Sequence, residues 1–177
     1  LLRRQRQMCI RDRLDAINNT SISLSKLEDI SYFKTGRLFE ASARCGALLS
    51  DSKGSYVRNI SECAKNLGIV FQIKDDLLDY LGQENAIGKP AFQDIKEGKV
   101  TYPFYFAYKN AGNEHKKILL TMLGNKKVSH LKVSKLINKL GGIIETENLA
   151  AKYIRKCKAS ALKIDKHIQQ EMLKLLD

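Results

Sequence analysis

The chain has 177 residues, the length of a single domain, and 44% of them are hydrophobic, which is enough for a sizeable core. This composition excludes a chain that is disordered along its whole length. The net charge of +12 would suit nucleic acid or a membrane surface, but most of the lysines are interspersed with acidic residues. No apolar run reaches the roughly 18 residues of a membrane-spanning helix. We therefore expect a protein that is at most peripheral to membranes and does not bind nucleic acid.

The first thirteen residues differ from the rest of the chain. They contain five arginines and one aspartate, and they lack both an apolar stretch and a small-residue cleavage site, so they do not form a secretory signal. We interpret residues 1–13 as a foreign or unstructured tail and residues 14–177 as the folded part. A mitochondrial presequence, which is also rich in arginine and poor in acids, is the alternative.

The remaining sequence favours helices, because it has only two prolines and is rich in Leu, Ile, Lys, Ala and Glu. A first helix is predicted from Ser31 to about Ser50, with Asp29 or Ser31 as its cap. A second, long helix is predicted over Tyr56–Leu81. We expect an all-α protein.

A loop and several helices follow. Residues 82–103 contain both prolines and several glycines, which predicts a structured loop. Shorter helices are predicted over Pro103–Lys109, His115–Leu123 and Ser129–Leu140, and a last long helix over Thr146–Leu176.

Four polar side chains lie on one face of the second helix. Gln72, Asp75, Asp76 and Asp79 occupy positions i, i+3, i+4 and i+7, and most of their neighbours are apolar, so this face should line an internal cavity. Three carboxylates so close together repel one another unless a cation neutralises them. Mg²⁺ binds one or two carboxylates and takes its other ligands from water and phosphate oxygens. The stripe therefore predicts a magnesium site; the alternative is a solvated acidic face.

Basic residues predict a binding site for a diphosphate. Lys89 and Lys99 each lie next to a glycine, with Asp94 between them. Glycine lets the backbone approach a ligand, and lysine supplies a charge for phosphate oxygens. Lys34 and Thr35 lie in the first turn of the first predicted helix, where backbone N–H groups can hold an anion. The alternative for each residue alone is ordinary surface chemistry.

The four cysteines, Cys9, Cys45, Cys63 and Cys157, are far apart in the sequence and form no CxxC pair. We expect free thiols on buried helix faces in a reducing compartment.

Three segments, in order and spacing, resemble the carboxyl-terminal motifs of the trans-isoprenyl (polyprenyl) diphosphate synthases: FKTGRLFEASARCGALL, FQIKDDLLDYLG and GKPAFQDIKEGKVTYP. The resemblance implies a helical bundle of the isoprenoid synthase type around a deep apolar cavity, of which this chain is the carboxyl-terminal half. In their residue pattern these segments are more similar to long-chain enzymes, such as octaprenyl and heptaprenyl synthases, than to farnesyl synthases. The product length cannot be read from them.

The resemblance also implies an activity and a set of site residues. The activity is that of a cytoplasmic prenyltransferase, homodimeric at full length, that condenses an allylic prenyl diphosphate with isopentenyl diphosphate. Asp75, Asp76 and Asp79 match the second aspartate-rich motif, whose carboxylates bind Mg²⁺. The residues that match diphosphate-binding positions are Lys34, Thr35, Gln72, Lys89 and Lys99, and all of these except Lys89 also match catalytic positions.

One part of the family pattern is missing. The first aspartate-rich motif, its following arginines and the glycine-lysine-arginine group should precede Lys34, and residues 1–33 do not contain them. We therefore expect the chain to be truncated and inactive alone. Two alternatives are a non-catalytic partner subunit of a heteromeric synthase and, more remotely, a basic helical nucleic-acid-binding protein.

Overall fold

A computed structural model of the chain describes residues 17–81 and 92–176, which form helices and no strand. One antiparallel bridge joins Ile17 to Lys99 in this part of the chain. The all-α prediction is confirmed. The helices are α1 (Leu24–Ser31), a π turn (Tyr32–Gly36), α2 (Arg37–Leu49), α3 (Gly54–Leu81), α4 (Gln93–Lys96), α5 (Tyr102–Asn110), α6 (Asn113–Met122), α7 (His130–Lys139), α8 (Gly142–Ala161) and α9 (Lys166–Lys174).

None of the helices within the described ranges combines the length and the apolar character that a membrane-spanning segment requires.

The chain divides into two compact units. The first unit contains the residues up to Ile30 together with Asp75–Glu147, and the second contains Ser31–Lys74 together with Asn148–Asp177. Helix α3 contributes to both, because the division falls between Lys74 and Asp75.

The first unit has an apolar core and a close backbone approach between α8 and α5. Its largest fully buried side chains include Tyr80, Tyr102 and Phe104. A Cβ added to Gly142, the first residue of α8, would overlap the carbonyl oxygen of Pro103, so this position requires glycine. These contacts hold the start of α8 against the first turn of α5.

In the second unit, glycines allow the π turn to lie directly against α3. A Cβ added to Gly68 would lie 2.7 Å from the Cα of Gly36 and 3.1 Å from the Cβ of Phe39. Both are closer than real Cβ atoms normally come, so the crossing requires glycine at position 68. The packing continues on α8, where Leu149, Tyr153 and Cys157 are buried on one face.

The predicted first helix is wrong at its amino-terminal end. Helical structure begins at Leu24, and Ser31 has helical dihedral angles of −60° and −41° with no capping hydrogen bond from its side chain. Neither Asp29 nor Ser31 is therefore a cap. The π turn, which has five residues, then interrupts the α-helical hydrogen bonding before α2.

The predicted last helix, Thr146–Leu176, is also wrong, because it is two helices. Helix α8 ends at Ala161, and α9 begins after Asp165, whose carboxylate accepts a hydrogen bond from the backbone N–H of Ile168 at 3.0 Å. This is an ordinary N-cap, and the hydroxyl of Tyr56 donates to the same carboxylate at 2.6 Å.

Replacing Gly68 with alanine should destabilise the protein, because the added methyl group would meet the backbone of Gly36. We expect a loss of about 1–3 kcal/mol, which is typical of overpacking. Gly46 is a matched control, since it also lies inside a helix but has no atom within 4 Å of an added Cβ. Gly46→Ala should raise stability by up to about 1 kcal/mol. Thermal unfolding of the two variants checks this, and equal shifts would contradict the close crossing.

Candidate functional site

The acidic stripe occupies the carboxyl-terminal end of α3, in the first unit. Its three carboxylates differ in exposure: Asp75 is exposed, Asp79 is half-buried and Asp76 is 6% exposed. On an ordinary solvated face the three carboxylates would be similarly exposed. Here they are not equivalent.

Asp79 anchors the chain that follows α3. Its two carboxylate oxygens accept hydrogen bonds from the backbone N–H groups of Gln93 and Asp94, at 2.9 and 3.2 Å. Its backbone carbonyl oxygen accepts a third from the N–H of Phe92, at 3.0 Å. These N–H groups precede or belong to the first turn of α4, so one residue of the stripe satisfies donors that a helix cannot pair internally.

The electrostatic environment of Asp79 disfavours its charge. Burial is the largest effect and raises the pKa of Asp79, while the hydrogen bonds from Gln93 and Asp94 lower it. The neighbouring charge of Asp75 raises it further, and Lys96 lowers it by a smaller amount. The net pKa lies above the ordinary value of 3.8, so the stripe carries a charge that the protein only partly compensates.

The side chain of Lys99 lies beside α4 among carboxylates. Its ammonium group is 2.9 Å from a carboxylate oxygen of Glu97 and 3.8 Å from one of Asp94. The preceding Gly98 has a φ of 75°, and a Cβ there would lie 2.7 Å from the side-chain oxygen of Asn18. Glycine is therefore required before Lys99 for its backbone conformation and for the contact with Asn18, while its predicted role, close approach of the backbone to a ligand, stays a prediction.

A second group of predicted site residues belongs to the second unit. The hydroxyl of Thr35 donates to the side-chain oxygen of Gln72 at 2.8 Å, and Gln72 is 6% exposed. Lys34 is half-buried in the same π turn. The prediction that Lys34 and Thr35 open a helix is wrong, because α1 precedes them, so the argument from helix-terminal N–H groups does not apply.

The predicted metal-binding carboxylates fit Mg²⁺ only if a bound diphosphate supplies further oxygen ligands. No three His, Cys, Asp or Glu side chains within residues 17–81 and 92–176 are grouped as a metal site. The stripe nevertheless offers oxygen donors, and Mg²⁺ commonly binds one or two carboxylates and completes its shell with water and phosphate oxygens. The donor set therefore fits the ion in the presence of a diphosphate. Lys89 lies outside the described residues.

Sequence reasoning missed the residues that support Asp79. Phe92 has a φ of 61° and a ψ of 30°, a left-handed conformation that is rare for a bulky side chain. Its ring stacks on His130, with centroids 4.8 Å apart, and meets the buried Tyr80 edge-on at 6.0 Å. Burial is the largest cause and raises the pKa of Tyr80 well above 10. The only signal in the sequence was the position of these aromatic residues next to predicted site residues.

Comparison with known proteins establishes the class. The structure is similar to a polyprenyl synthase from Caulobacter crescentus, with a TM-score of 0.85 and 28% sequence identity over 99% of this chain and 55% of that chain. It therefore has the all-α fold of the isoprenoid synthases. The polyprenyl synthetase family model matches residues 4–140, and the chain belongs to that family.

The sequence is also similar to curated relatives with different product names. It is 41% identical over 112 residues to a short chain isoprenyl diphosphate synthase of Methanocaldococcus jannaschii, which covers 63% of this chain and 34% of the relative. It is 31% identical over 164 residues to a decaprenyl-diphosphate synthase of Dictyostelium discoideum, which covers 90% of this chain and 35% of that protein. The chain thus spans about a third of the length of these relatives.

Removing the Asp79 carboxylate should loosen the start of α4, because two backbone N–H groups lose their acceptor. We expect Asp79→Ala to cost about 1–2 kcal/mol, as for other lost caps. The exposed Asp75 is the matched control, and Asp75→Ala should change stability by less than about 0.5 kcal/mol. Chemical denaturation measures both, and amide hydrogen exchange at Gln93 and Asp94 locates the effect. Unchanged exchange in Asp79→Ala would contradict the anchoring role.

The pKa of Asp79 should fall when the charge of Asp75 is removed, because that charge raises it. Since the folded-state pKa lies above 3.8, protonation of Asp79 contributes stability that is fully present below pH 3.8 and is lost as the pH rises through the folded-state pKa. The hydrogen bonds that the carboxylate accepts from Gln93 and Asp94 are a separate contribution and persist above that pH. In Asp75→Asn the loss of the protonation contribution should occur at lower pH. Carboxyl ¹³C NMR titration measures the pKa, with the exposed Glu114→Gln as control. A pKa unchanged in Asp75→Asn would show that the two carboxylates do not interact.

Proposed function

We propose that residues 14–177 are the carboxyl-terminal half of a magnesium-dependent isoprenyl diphosphate synthase. Its substrates are an allylic prenyl diphosphate and isopentenyl diphosphate. One observation carries the proposal: Asp79 ties the acidic end of α3 to α4. Carboxylates and the segment that contains Lys99 are thereby built into one unit, which is what a site for a metal-bound diphosphate requires.

The carboxylates of Asp75, Asp76 and Asp79 hold Mg²⁺ in this proposal. When bound, the ion supplies electrostatic stabilisation to the diphosphate that leaves the allylic carbon. The raised pKa of Asp79 supports this role, because a nearby divalent cation offsets both the burial of the carboxylate and its repulsion by Asp75.

The basic and polar residues bind the diphosphate. Lys99 exchanges its carboxylate partners Glu97 and Asp94 for phosphate oxygens, since an ammonium group pairs with either kind of anion. Thr35 orients the amide of Gln72 by donating to its oxygen, so that the amide nitrogen is turned away from Thr35. Lys34 and Lys89 complete the proposed set with the charges of their ammonium groups.

The solved relative from Caulobacter crescentus supports this assignment, because it is described as a complex with calcium and isoprenyl diphosphate. Ca²⁺ and Mg²⁺ are both hard cations that take oxygen ligands. The prenyl chain would lie in the apolar cavity expected of the fold. Assembly of the full-length protein as a homodimer and its location in the cytoplasm remain predictions.

Asp75→Asn should weaken the binding of Mg²⁺ and inorganic pyrophosphate to the chain. Because Asp75 is exposed, the substitution removes a ligand charge without disturbing packing, and we expect at least about a tenfold loss of affinity, or 1.4 kcal/mol. Asp51→Asn is the matched control, since Asp51 is also exposed and its φ of 52° is one that asparagine tolerates. Isothermal titration calorimetry with and without Mg²⁺ measures the effect. Equal affinity for Mg²⁺ and pyrophosphate in both variants would show that the acidic stripe does not bind them.

A joined protein distinguishes an enzyme from a partner subunit. If the chain is joined to an upstream segment that carries a first aspartate-rich motif and its arginines, prenyl transfer should depend on Mg²⁺. Asp75→Ala should then lower kcat by about 10²-fold or more. A joined protein that stays inactive, together with co-purification of this chain with a complete synthase, would favour the non-catalytic partner subunit.

A further inference from the structure

Two cysteine sulfurs lie next to each other in the core of the second unit. Cys63 on α3 and Cys157 on α8 are 94 residues apart in the sequence, yet their Sγ atoms are 3.1 Å apart. Both residues are 0% exposed. We propose that Cys63 and Cys157 are a modification site, at which a peroxide converts the two thiols into an intramolecular disulfide that joins α3 to α8.

The geometry is suited to bond formation. A disulfide has an S–S distance of about 2.05 Å, so the two sulfurs need to approach by about 1 Å. Cys157 lies on the buried face of α8, between Tyr153 and Ala161, and this packing keeps its side chain directed at α3. The two sulfurs are therefore held within reach of each other by the core, and no hinge motion is required.

A metal site does not explain the pair. No third His, Cys, Asp or Glu joins these thiols in a metal-binding group within the described ranges. Structural zinc sites need four such ligands, so two thiols alone do not form one. The remaining alternative is that the thiols serve only as small apolar groups with a weak S–H hydrogen bond between them.

The two thiols differ in pKa, and this difference determines which of them reacts with the peroxide first. The hydrogen bond between the two thiols and the charge of Lys158 lower the pKa of Cys157, against the opposing effect of burial. The same hydrogen bond, together with burial, raises the pKa of Cys63. Cys157 is therefore the thiol that is more readily deprotonated, and thiolates are the forms that react with peroxides.

The proposed chemistry balances with hydrogen peroxide as the oxidant. The Cys157 thiolate attacks one peroxide oxygen, the O–O bond breaks, and the departing hydroxide takes up the thiol proton to form water. This leaves a sulfenic acid on Cys157. The sulfur of Cys63 then attacks that of Cys157, the S–O bond breaks, and the hydroxide leaves with the proton of Cys63 as a second water. Two thiols are oxidised, and one peroxide is reduced to two waters.

Burial makes the pair selective for small oxidants. Cys45 lies on the exposed surface of α2, whereas the paired sulfurs are enclosed, so large reagents should modify Cys45 first. Hydrogen peroxide is close to water in size, so it needs a smaller local opening of the core than larger reagents do. Once formed, the disulfide encloses a long loop, so it should stabilise the folded chain against unfolding.

The test uses the full chain with Cys45→Ala as the reference variant, treated with hydrogen peroxide under native conditions. Peptide mapping without reduction should then show Cys63 and Cys157 joined in one species, two hydrogens lighter than the sum of the two peptides. The melting temperature should rise, and a dithiol reductant should reverse both changes. Cys63→Ala and Cys157→Ala should each lose the linked species and the rise in melting temperature.

Other results would overturn the proposal. If both thiols can still be alkylated after peroxide treatment and denaturation, the pair is only a packing contact. Separate sulfinic or sulfonic acids on the two residues, or disulfides to other cysteines, would show that the sulfurs do not react with each other. Because thiol counting needs only the reference variant, this result does not depend on whether the alanine variants fold.

Discussion

The hydrogen bonds from Gln93 and Asp94 to the carboxylate of Asp79 are the interaction on which the rest of the first unit depends. Helix α4 has four residues, which is too short to be stable alone, because a first helical turn fixes more dihedral angles than it forms hydrogen bonds. Its start also requires the unfavourable left-handed conformation of Phe92. The anchor at Asp79 offsets these costs and thereby places Lys99 and Asp94 in the same unit as the acidic stripe.

The anchor has a cost of its own, because it holds a carboxylate in a half-buried position next to the charge of Asp75. A neutral asparagine or serine would avoid that cost but would offer only one side-chain oxygen to the two backbone donors. A carboxylate at this position satisfies two backbone donors and also keeps negative charge available at the end of α3. One residue thus combines a structural contact with the chemistry expected of the family, and this explains why an energetically unfavourable charge is retained.

Much of the helical architecture could be predicted from the sequence, since it depends on local patterns, whereas the roles of the candidate site residues remain predictions. The end of α3 at Leu81 and the placement of Gln72, Asp75 and Asp79 on one face follow from helical periodicity. The positive φ of Gly98 could not be predicted in this way, because it depends on the turn after α4. The π turn could not be predicted, because it depends on the close crossing at Gly36 and Gly68, which joins distant parts of the chain.

Other errors have different physical causes. The break between α8 and α9 was missed because the amphipathic pattern continues through it, although Asp165 is an ordinary N-cap. The sequence analysis predicts that the cysteines lie on buried helix faces. This is correct for Cys63 and Cys157 but wrong for Cys45, which is exposed. The contact between Cys63 and Cys157 depends on tertiary packing alone, so no spacing rule could have indicated it.

The π turn has a consequence for changes in chain length. Relative to regular α-helical hydrogen bonding, it accommodates one surplus residue, and each residue advances a helix by about 100°. Deleting one residue from this turn would restore a regular helix but rotate the preceding and following segments relative to each other, and Thr35 would no longer face Gln72. In Tyr32–Gly36, the number of residues is therefore as strong a constraint as their identity.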